Sequence, residues 1–401
     1  MLYKDLIEIH VTKRDGKVLK FEKIIDLVSD WKMSNFTKNA KFTLPINTYY
    51  EQDNVKIKLF NNLDSLVLER HDLVEIYVGY STQNDELSNK IFKGIINNIV
   101  INYKKKHAVI ECEDFMALLK EMYFTFNFTG DISKFAEIIT KQLNKQYSNV
   151  FGEFTHSENF TVNLENVASQ GASGSQLLKK LKKEFMIDSH ISENELILGS
   201  NFNKEFIEDK LDKELFKSYR FTNNNFEFVK QVKDTTPNRK ENEYLHILDD
   251  SNLNKRLYKN YDSRLEVTTV DSNNKTAKKS WGAENAKLEK LVYFKEEIDD
   301  LLPIMKSSFL QRKNWHGFED DSTFKTFAYP YIDFLDFIKI DLYAANNTLN
   351  NIELSETLTY YVTGSKVEYD TEKGLKQYVT IKNAYSLESD KTLTKESEKI
   401  A

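Results

Sequence analysis

The fold of this chain is indicated by a β pattern that reads DLVEIYV at residues 72–78, FKGI at 92–95 and HAVIE at 107–111. In the first segment apolar side chains alternate with polar ones, which is the period-2 pattern of a half-buried strand. Gly94 in the second segment marks a turn or bend, and the third segment completes a hairpin. These residues therefore predict a strand followed by a hairpin.

A similar pattern recurs near the end of the chain and reads DFIKIDL at 336–342, VTGS at 362–365 and QYVTI at 377–381. Gly94 and Val109 are fifteen residues apart, and so are Gly364 and Val379, which predicts that Gly94 matches Gly364. We also expect Val74 and Ile76 in the first copy, and Ile338 and Ile340 in the second, to point into their respective cores. If the two copies are related, the chain carries two similar β modules, which can build a ring with twice the rotational symmetry of the assembly. Identity between the copies is low, so chance similarity of two ordinary hairpins stays open as the alternative.

Length and composition favour a folded protein of two to three domains. The chain has 401 residues, an aromatic content of 13% and a net charge of −6. The mild charge gives no reason to expect nucleic-acid binding, which needs a concentrated basic face. One cysteine, Cys112, excludes an intrachain disulfide and suits a reducing cytoplasm. No secretory signal and no apolar run long enough for a membrane anchor is visible.

The first predicted domain, residues 1–122, is β-rich and barrel-like. Val55, Ile57 and Leu59 alternate with lysines, as in a strand with one buried face. Residues 91–101 are more continuously apolar, which predicts a strand buried on both faces. The basic run at 104–106 separates two apolar strands, so we interpret it as a solvated hairpin tip.

The second predicted domain, residues 123–212, is a small α/β unit inserted between the β modules. One helix is predicted with Asp131 as its N-cap and a stripe of apolar residues on one face: Ile132, Phe135, Ala136, Ile139 and Leu143. Residues 170–174 are predicted as a loop. A second helix follows, with an apolar stripe of Leu177, Leu178, Leu181 and Phe185, and residues 187–198 predict a short hairpin.

The third predicted domain, residues 213–385, is a second barrel-like β module with a helix. Residues 264–270 predict a strand and 271–275 a turn. Pro303 suits the first turn of a helix that would run to Arg312. Residues 386–401 are mainly polar and predict a flexible C-terminal tail. The predicted fold class is therefore mainly β with an inserted α/β unit, and the two barrel-like domains would be related by duplication.

The sequence predicts no catalytic, cofactor-binding or metal-binding residues. Phosphate-binding loops, nucleophile elbows and zinc-binding helix motifs are absent, and the seven histidines are scattered. Cys112 is flanked by three carboxylates, which would raise its thiol pKa and make it a poor nucleophile, so we expect a half-buried structural cysteine. The acid pairs at 249–250, 299–300 and 320–321 are interpreted as solvated loops and helix caps.

The order of these parts resembles a known family. A β module containing FKGII at 92–96 and VIECED at 109–114 precedes the α/β unit, which contains QLLKKL at 176–181 and ELILG at 195–199. A second β module then contains VTTVD at 267–271 and the hairpin at 360–383. This order, over residues 20–385, is similar to the baseplate hub proteins of contractile phage tails and related injection systems. That family includes the late control protein D group, the T-even phage hub and the N-terminal part of type VI secretion spike proteins.

The resemblance implies a homotrimer in which two barrel-like domains per chain form a pseudo-six-fold ring. Such a symmetry adaptor would join a hexameric ring of the tail tube protein to a separate spike protein, with tape measure and wedge proteins as further partners. DNA or effector cargo would pass through the lumen without specific binding. The resemblance also implies a non-enzymatic virion structural protein of the tail baseplate or injection particle, assembled in the bacterial cytoplasm. The sequence does not distinguish a phage from a tailocin or a secretion system.

Two other functions are alternatives to the hub. A tail-associated polysaccharide- or peptidoglycan-degrading enzyme needs a convergent pair of acids, and none occurs at a characteristic spacing. A carbohydrate-binding adhesin favours exposed tryptophans in loops, and the chain has only Trp31, Trp281 and Trp315. The abundance of Tyr and Phe is interpreted as strand packing and protein interfaces.

Overall fold

The computed structural model of the protein describes residues 4–32, 35–52, 55–59, 67–81, 86–158, 163–185, 187–199, 219–221, 243–245, 247–249, 255–256, 263–270, 276–282, 287–294, 317–318, 323–328, 331–333, 337–340 and 358–385. The description that follows concerns these residues.

The strands of the first half of the chain are β1 (Lys4–Thr12), β2 (Val18–Phe21), β3 (Asp26–Lys32), β4 (Asn39–Pro45), β5 (Tyr49–Gln52), β6 (Val55–Lys58), β7 (Leu73–Ser81), β8 (Glu86–Asn102), β9 (His107–Glu113), β10 (Tyr123–Asp131), β11 (Thr155–Glu158), β12 (Asn163–Ser173), β13 (Asp188–Ser192) and β14 (Glu195–Gly199). The helices are a 3₁₀ turn (Phe115–Ala117), α1 (Leu118–Glu121), α2 (Ile132–Phe151) and α3 (Gly174–Phe185).

The strands of the second half are β15 (Tyr219–Phe221), β16 (Glu243–Leu245), β17 (Ile247–Asp249), β18 (Lys255–Arg256), β19 (Ser263–Val270), β20 (Thr276–Gly282), β21 (Lys287–Phe294), β22 (Gly317–Phe318), β23 (Thr323–Thr326), β24 (Phe337–Ile340), β25 (Leu358–Asp370) and β26 (Gly374–Tyr385). The chain is thus mainly β with few helices, as the sequence predicted.

One antiparallel sheet of twelve strands dominates the structure. Its strand order is β17-β23-β26-β25-β3-β4-β9-β8-β7-β1-β2, and β24 also pairs with β25. Strand β3 lies in the segment predicted as the first domain and β25 in the segment predicted as the third. The sheet therefore continues across both β modules, although the two segments are far apart in sequence.

The hydrophobic core under this sheet is also shared. Most of its buried side chains come from β1 to β9, but Ala328, Tyr331, Val367 and Leu375 belong to the same cluster. A second cluster fills the α/β unit, from Phe115 to Leu198, and includes Ile95 from β8. Among the described residues, most of the buried apolar side chains thus belong to these two cores, and the C-terminal strands contribute to the core of the first module. The domain boundaries themselves stay a prediction.

The α/β unit contains the predicted helices. All five residues of the predicted apolar stripe on α2 are buried, and the Asp131 carboxylate accepts a hydrogen bond from the backbone N–H of Ser133 at 2.7 Å. Leu177, Leu178 and Leu181 of α3 are buried as predicted, and β13 and β14 form the predicted hairpin. Strand β11 adds to this hairpin in parallel with β14, which the sequence analysis did not predict.

Two predictions about local structure were wrong. Residues 170–173 are not a loop: they end β12, which pairs with β10, and Gly171 takes a positive φ of 72° beside a β-bulge. Strand β8 is buried on both faces only around Ile91 to Ile96, and Val100 is 46% exposed. Its C-terminal half leaves the core because it extends to the turn at 103–106, which contains the predicted hairpin tip at 104–106.

Several predictions fall outside the described residues. These are the turn at 271–275, the helix from Pro303, the acid pairs 299–300 and 320–321, Asp250, and the tail at 386–401.

Candidate functional site

The candidate site is the junction between the two β modules, where β3 pairs with β25. The antiparallel ladder runs from Gly364 opposite Lys32 to Asp370 opposite Asp26. Backbone hydrogen bonds along this ladder give the C-terminal hairpin β25–β26 a defined position relative to the N-terminal strands.

A buried lysine connects the first module to the short segment before β24. The Lys38 ammonium donates to the Tyr331 hydroxyl at 3.1 Å and to Asp333 Oδ1 at 3.3 Å. Burial by itself would lower the pKa of Lys38, but the Asp333 carboxylate and the Tyr331 hydroxyl outweigh burial and raise it. Lys38 therefore stays charged, and its partners hold residues 331–333 against the start of β4.

Asp114 holds the backbone of that lysine from the other side. Its carboxylate accepts the Lys38 N–H at 2.9 Å and the Met116 N–H at 3.2 Å, while the Asp114 N–H donates to the Lys38 carbonyl at 3.0 Å. Burial raises the pKa of Asp114 to about 7, because the two backbone hydrogen bonds and Lys38 only partly offset the loss of solvent. This carboxyl group thus titrates near neutral pH inside the junction.

Tyr80 and Asp5 bind the tip of the C-terminal hairpin to the opposite end of the first module. The buried Tyr80 hydroxyl donates to the Leu375 carbonyl at 3.0 Å and accepts the Ala328 N–H at 3.3 Å. The Leu375 N–H donates to Asp5 Oδ2 at 3.2 Å. Both backbone polar groups of Leu375 are therefore satisfied by the N-terminal module.

Gln377 links the two C-terminal strands to residues 331–333. Its amide nitrogen donates to the Ile332 carbonyl at 2.6 Å and to Ser365 Oγ at 2.8 Å, and its amide oxygen accepts the Ile332 N–H at 3.3 Å. The side chain is completely buried. A fully hydrogen-bonded polar network of this kind specifies one arrangement of the segments that it joins.

On the solvent side of the junction lies a shallow cleft of about 200 Å³, lined by Asp30, Lys32, Thr323, Ser365, Lys366, Tyr378 and Thr380. A cleft of this size is smaller than the usual cofactor or small-molecule site, which takes about 300–1,000 Å³.

The two copies of the repeated pattern have the same strand order but not the same register. Each copy forms a three-stranded antiparallel meander, β7–β8–β9 in the first and β24–β25–β26 in the second. Val74 lies opposite Gly94, whereas Ile338 lies opposite Tyr360, four residues before Gly364. The one-to-one match of Gly94 with Gly364 is therefore wrong in register.

Both glycines nevertheless lie where neighbouring strands approach closely. A Cβ on Gly94 would be 2.2 Å from the Glu113 carbonyl oxygen, and one on Gly364 would be 3.3 Å from the Trp31 carbonyl oxygen. Gly364 also borders a β-bulge in β25. The predicted burial of Val74 and Ile76 is confirmed, while the side chains of Ile338 and Ile340 lie outside the described residues.

Among the residues that the structure describes, Cys112 is one of the remaining chemical candidates. Cys112 is fully buried in β9 rather than half-buried, and burial raises its thiol pKa far above the usual range. Within the described part of the chain, no group of three His, Cys, Asp or Glu side chains could hold a metal ion. No described helix is long and apolar enough to cross a membrane.

Sequence reasoning missed the residues of the junction. Of these residues, Asp114 could have been found from the sequence, because an Asp before the apolar run 115–119 is typical of a helix N-cap. Lys38 and Tyr331 are 293 residues apart, so no local pattern relates them.

Comparison with known proteins identifies the fold. No family model matches the chain, and no curated protein sequence matches it. Among solved structures, a tail protein from Neisseria meningitidis is similar with a TM-score of 0.57 and 10% identity, over 94% of this chain and 96% of that one. The 43 kDa tail protein of prophage MuSo2 from Shewanella oneidensis gives a TM-score of 0.53 and 10% identity, over 94% and 98%.

A chain of the Francisella PdpA–VgrG complex is similar with a TM-score of 0.51 and 12% identity, over 96% of this chain and 58% of that chain. Identities this low relate the proteins by fold alone. The chain therefore has a fold similar to that of these two tail proteins and of a chain of the PdpA–VgrG complex.

Proposed function

We propose that this protein is a structural hub of a phage tail or contractile injection system. It would be a homotrimer that presents two β modules per chain, six in all, to a hexameric ring of the tail tube protein. Its three-fold end would bind a separate spike protein. Tape measure and wedge proteins would be further partners, and DNA or effector cargo would pass through the lumen.

The observation that carries this proposal is the pair of three-stranded meanders within one sheet. In the described residues, β7–β8–β9 and β24–β25–β26 are separated by only β3 and β4. A rigid chain with two similar meanders is what a three-to-six symmetry adaptor requires, because each copy must offer two comparable surfaces at a constant spacing. The buried contacts of Lys38, Tyr80 and Gln377 support that rigidity.

The fold supports a tail or injection role over the two alternatives. The similar structures include two tail proteins, one of them from a prophage, and a PdpA–VgrG complex, which motivates the spike as a partner. A non-enzymatic role agrees with the buried polar side chains of Lys38, Tyr80 and Gln377, because these side chains form hydrogen bonds that join segments of the fold. The protein would be assembled in the bacterial cytoplasm and reside in the tail baseplate or injection particle.

Light scattering on the purified protein tests the assembly. We expect three times the chain mass of 47.0 kDa, and electron-microscopy class averages with six similar lobes around the axis. A strictly monomeric mass at tens of micromolar concentration contradicts the proposal. Class averages that lack six similar lobes around the axis also contradict it. Hydrolysis of peptidoglycan or capsule polysaccharide that is lost in a variant of one carboxylate contradicts the non-enzymatic role.

A further inference from the structure

Exposed apolar side chains concentrate at one end of the twelve-stranded sheet. Among the described residues, six large apolar side chains are exposed: Val18, Tyr49, Val100, Tyr103, Tyr123 and Val150. Tyr103 lies in the turn between β8 and β9, and Val100 lies on β8 shortly before that turn. Tyr49 begins β5, a few residues after Ile46, whose N–H donates to the Lys106 carbonyl of the same turn at 2.9 Å. Half of the exposed large apolar side chains are therefore at this end.

Lysines surround these apolar side chains. The three lysines at 104–106 are exposed in the turn, and Lys58 lies directly opposite Tyr49 in the β5–β6 ladder. Residues 45–49 and 99–107 contain no Asp or Glu. Within the described part of the chain, none of the four lysines forms an ion pair. Together these residues are the basic tip: Tyr49, Lys58, Val100, Tyr103, Lys104, Lys105 and Lys106.

The turn of the basic tip has a fixed backbone. The Lys105 N–H donates to Asn102 Oδ1 at 2.9 Å, and the Lys106 N–H donates to the Tyr103 carbonyl at 3.3 Å. Lys106 has a positive φ of 55°, a conformation that tight hairpin turns use. Tyr103 is 59% exposed on this turn. An aromatic side chain on a backbone that is already ordered loses little freedom when it binds a partner.

Acidic side chains lie around the turn between β25 and β26. Asp370 ends β25, Glu372 is exposed in the turn, and Asp26 lies directly opposite Asp370 in β3. Asp5 Oδ2 accepts a backbone N–H just after the turn at 3.2 Å. Lys373 is the only basic residue at 370–375. Together the four acids are the acidic corner, and none of them forms an ion pair with a described residue.

The strand pairing places the basic tip and the acidic corner at the same end of the sheet. Along one row, Asp370 lies opposite Asp26, Asp26 opposite Thr43, Thr43 opposite Val109, and Val109 opposite Val100. From this row β25 and β8 run in the same direction into their turns. Strands β3, β4 and β9 lie between β25 and β8. The two charged regions are therefore separate surfaces on one end of the sheet.

The charge of the chain favours a second copy as the partner of the basic tip. The chain carries a net charge of −6, and the four lysines of the basic tip contribute +4, so the rest of the chain carries −10. A neighbouring copy therefore presents mostly opposite charge to the tip, which favours association. In a closed ring of identical chains, each copy joins the next through two different surfaces. The basic tip and the acidic corner are such a pair.

We propose that the basic tip of one copy binds the acidic corner of the next copy in a ring. This inference rests on the proposed homotrimer and names the surfaces that join its subunits. The lysines pair with the carboxylates, and Tyr103 and Val100 supply apolar contact area. Because both surfaces lie at the same end of the sheet, the three contacts repeat at one level around the three-fold axis.

Charge reversal tests the ionic part of this contact. Sedimentation equilibrium over a dilution series measures the association of the trimer. Lys105→Glu and Glu372→Lys are each expected to weaken association about fivefold per contact, and so about a hundredfold over three contacts. Both side chains are exposed, and the backbone hydrogen bonds of the two turns stay intact. The variant that carries both changes again pairs opposite charges, so it should associate more tightly than either single variant.

Two matched controls accompany these variants. Lys145→Glu makes the same charge change at an exposed lysine on α2 and should leave association unchanged. Tyr103→Ser should weaken association by at least about fivefold per contact, because it removes the aromatic ring from the contact. Tyr123→Ser removes an aromatic ring that is 68% exposed on β10 and should have no effect on association.

The outcomes separate this inference from the proposed homotrimer. An unmodified protein that is strictly monomeric contradicts the homotrimer itself. A trimer whose association does not change in Lys105→Glu overturns the contact alone, and so does a double variant that is no tighter than the single variants. The contact is also overturned if the trimer binds a double-stranded DNA fragment and Lys105→Glu abolishes that binding without weakening the trimer, because the basic tip would then serve nucleic acid.

Discussion

The two β meanders have the same strand order but are completed in different ways. The first, β7–β8–β9, pairs through β9 with β4 and is followed by the 3₁₀ turn capped by Asp114. The second, β24–β25–β26, pairs through β25 with β3, which belongs to the first module. The first meander thus pairs with β1 and β4, whereas the second pairs with the nearby β23 and with β3 from the other end of the chain.

Two meanders with the same strand order can therefore have different surroundings. Gly94 lies against the backbone of Glu113 at a distance that no side chain tolerates, while Gly364 lies beside a bulge with more room. The contacts that specify the second meander come from Lys38, Tyr80 and Asp5. Variants at these residues can therefore separate the two meanders experimentally.

The largest effect is expected from Gly94→Ala. Its Cβ would be 2.2 Å from the Glu113 carbonyl oxygen and 2.8 Å from the Asp114 Cα, so the backbone must move. We expect the free energy of unfolding to fall by about 3 kcal/mol or more. The matched change Gly364→Ala meets its neighbours at 3.3 Å and should cost less than about 1 kcal/mol. Denaturant titration measures both, and equal losses contradict the difference between the meanders.

The next effect concerns pH and Asp114. Its pKa is about 7 in the folded protein and 3.8 in the reference state, so the folded state holds this proton more tightly. The contribution of Asp114 to the free energy of unfolding is largest below about pH 4. It decreases as the pH rises from near 4 to near 7 and does not change further above that. The loss between about pH 5 and pH 7 should be about 2 kcal/mol.

Asp114→Asn tests that dependence because Asn removes the titrating carboxyl group and keeps one side-chain oxygen that can accept the Met116 N–H. The slope of unfolding free energy against pH should flatten in this variant. Asp131→Asn, which changes the N-cap of α2 instead, is the matched control and should leave the slope as it is. A steep slope that persists in Asp114→Asn shows that another group is responsible.

An effect of similar size is expected from Lys38→Met. The change keeps the apolar stem but removes the ammonium that Tyr331 and Asp333 contact. Asp333 is 43% exposed and can be solvated, so we expect a loss of about 2 kcal/mol, below that of a fully buried broken pair. Hydrogen exchange should increase mainly in residues 362–381.

The control for this variant is Lys41→Met, since Lys41 is exposed and pairs with Glu111 at 3.7 Å. Its effect should stay within about 0.5 kcal/mol. If Lys38→Met accelerates exchange equally in β7 and β8, the contact is not specific to the second meander.

The smallest effect is expected from Tyr80→Phe. It removes one hydroxyl that donates to Leu375 and accepts from Ala328, at a cost of about 1 kcal/mol. Tyr103→Phe makes the same chemical change at a side chain that is 59% exposed and should have no measurable effect. Thermal unfolding of the two variants, measured side by side, checks this prediction. If the two unfolding curves are indistinguishable, the Tyr80 hydroxyl does not stabilise the junction.

Much of the local structure was predictable because it depends on periodicity. Helix α2 and its Asp131 cap, the buried Val74 and Ile76, and the β13–β14 hairpin all follow from spacing within a short window. The error at residues 170–173 has a local cause as well, since a Gly-rich segment can be either a loop or a bulged strand. Its pairing with β10 decided the outcome.

The sequence by itself determined the mainly β character, the inserted α/β unit and the presence of a repeated strand order, because apolar periodicity and helix capping act between near neighbours. Only the tertiary structure decided that β3 pairs with β25, that Lys38 contacts Tyr331 and Asp333, and that the two glycines differ in register. These interactions join residues hundreds of positions apart, and their free energy comes from burial and hydrogen bonding that exist only once the sheet has formed.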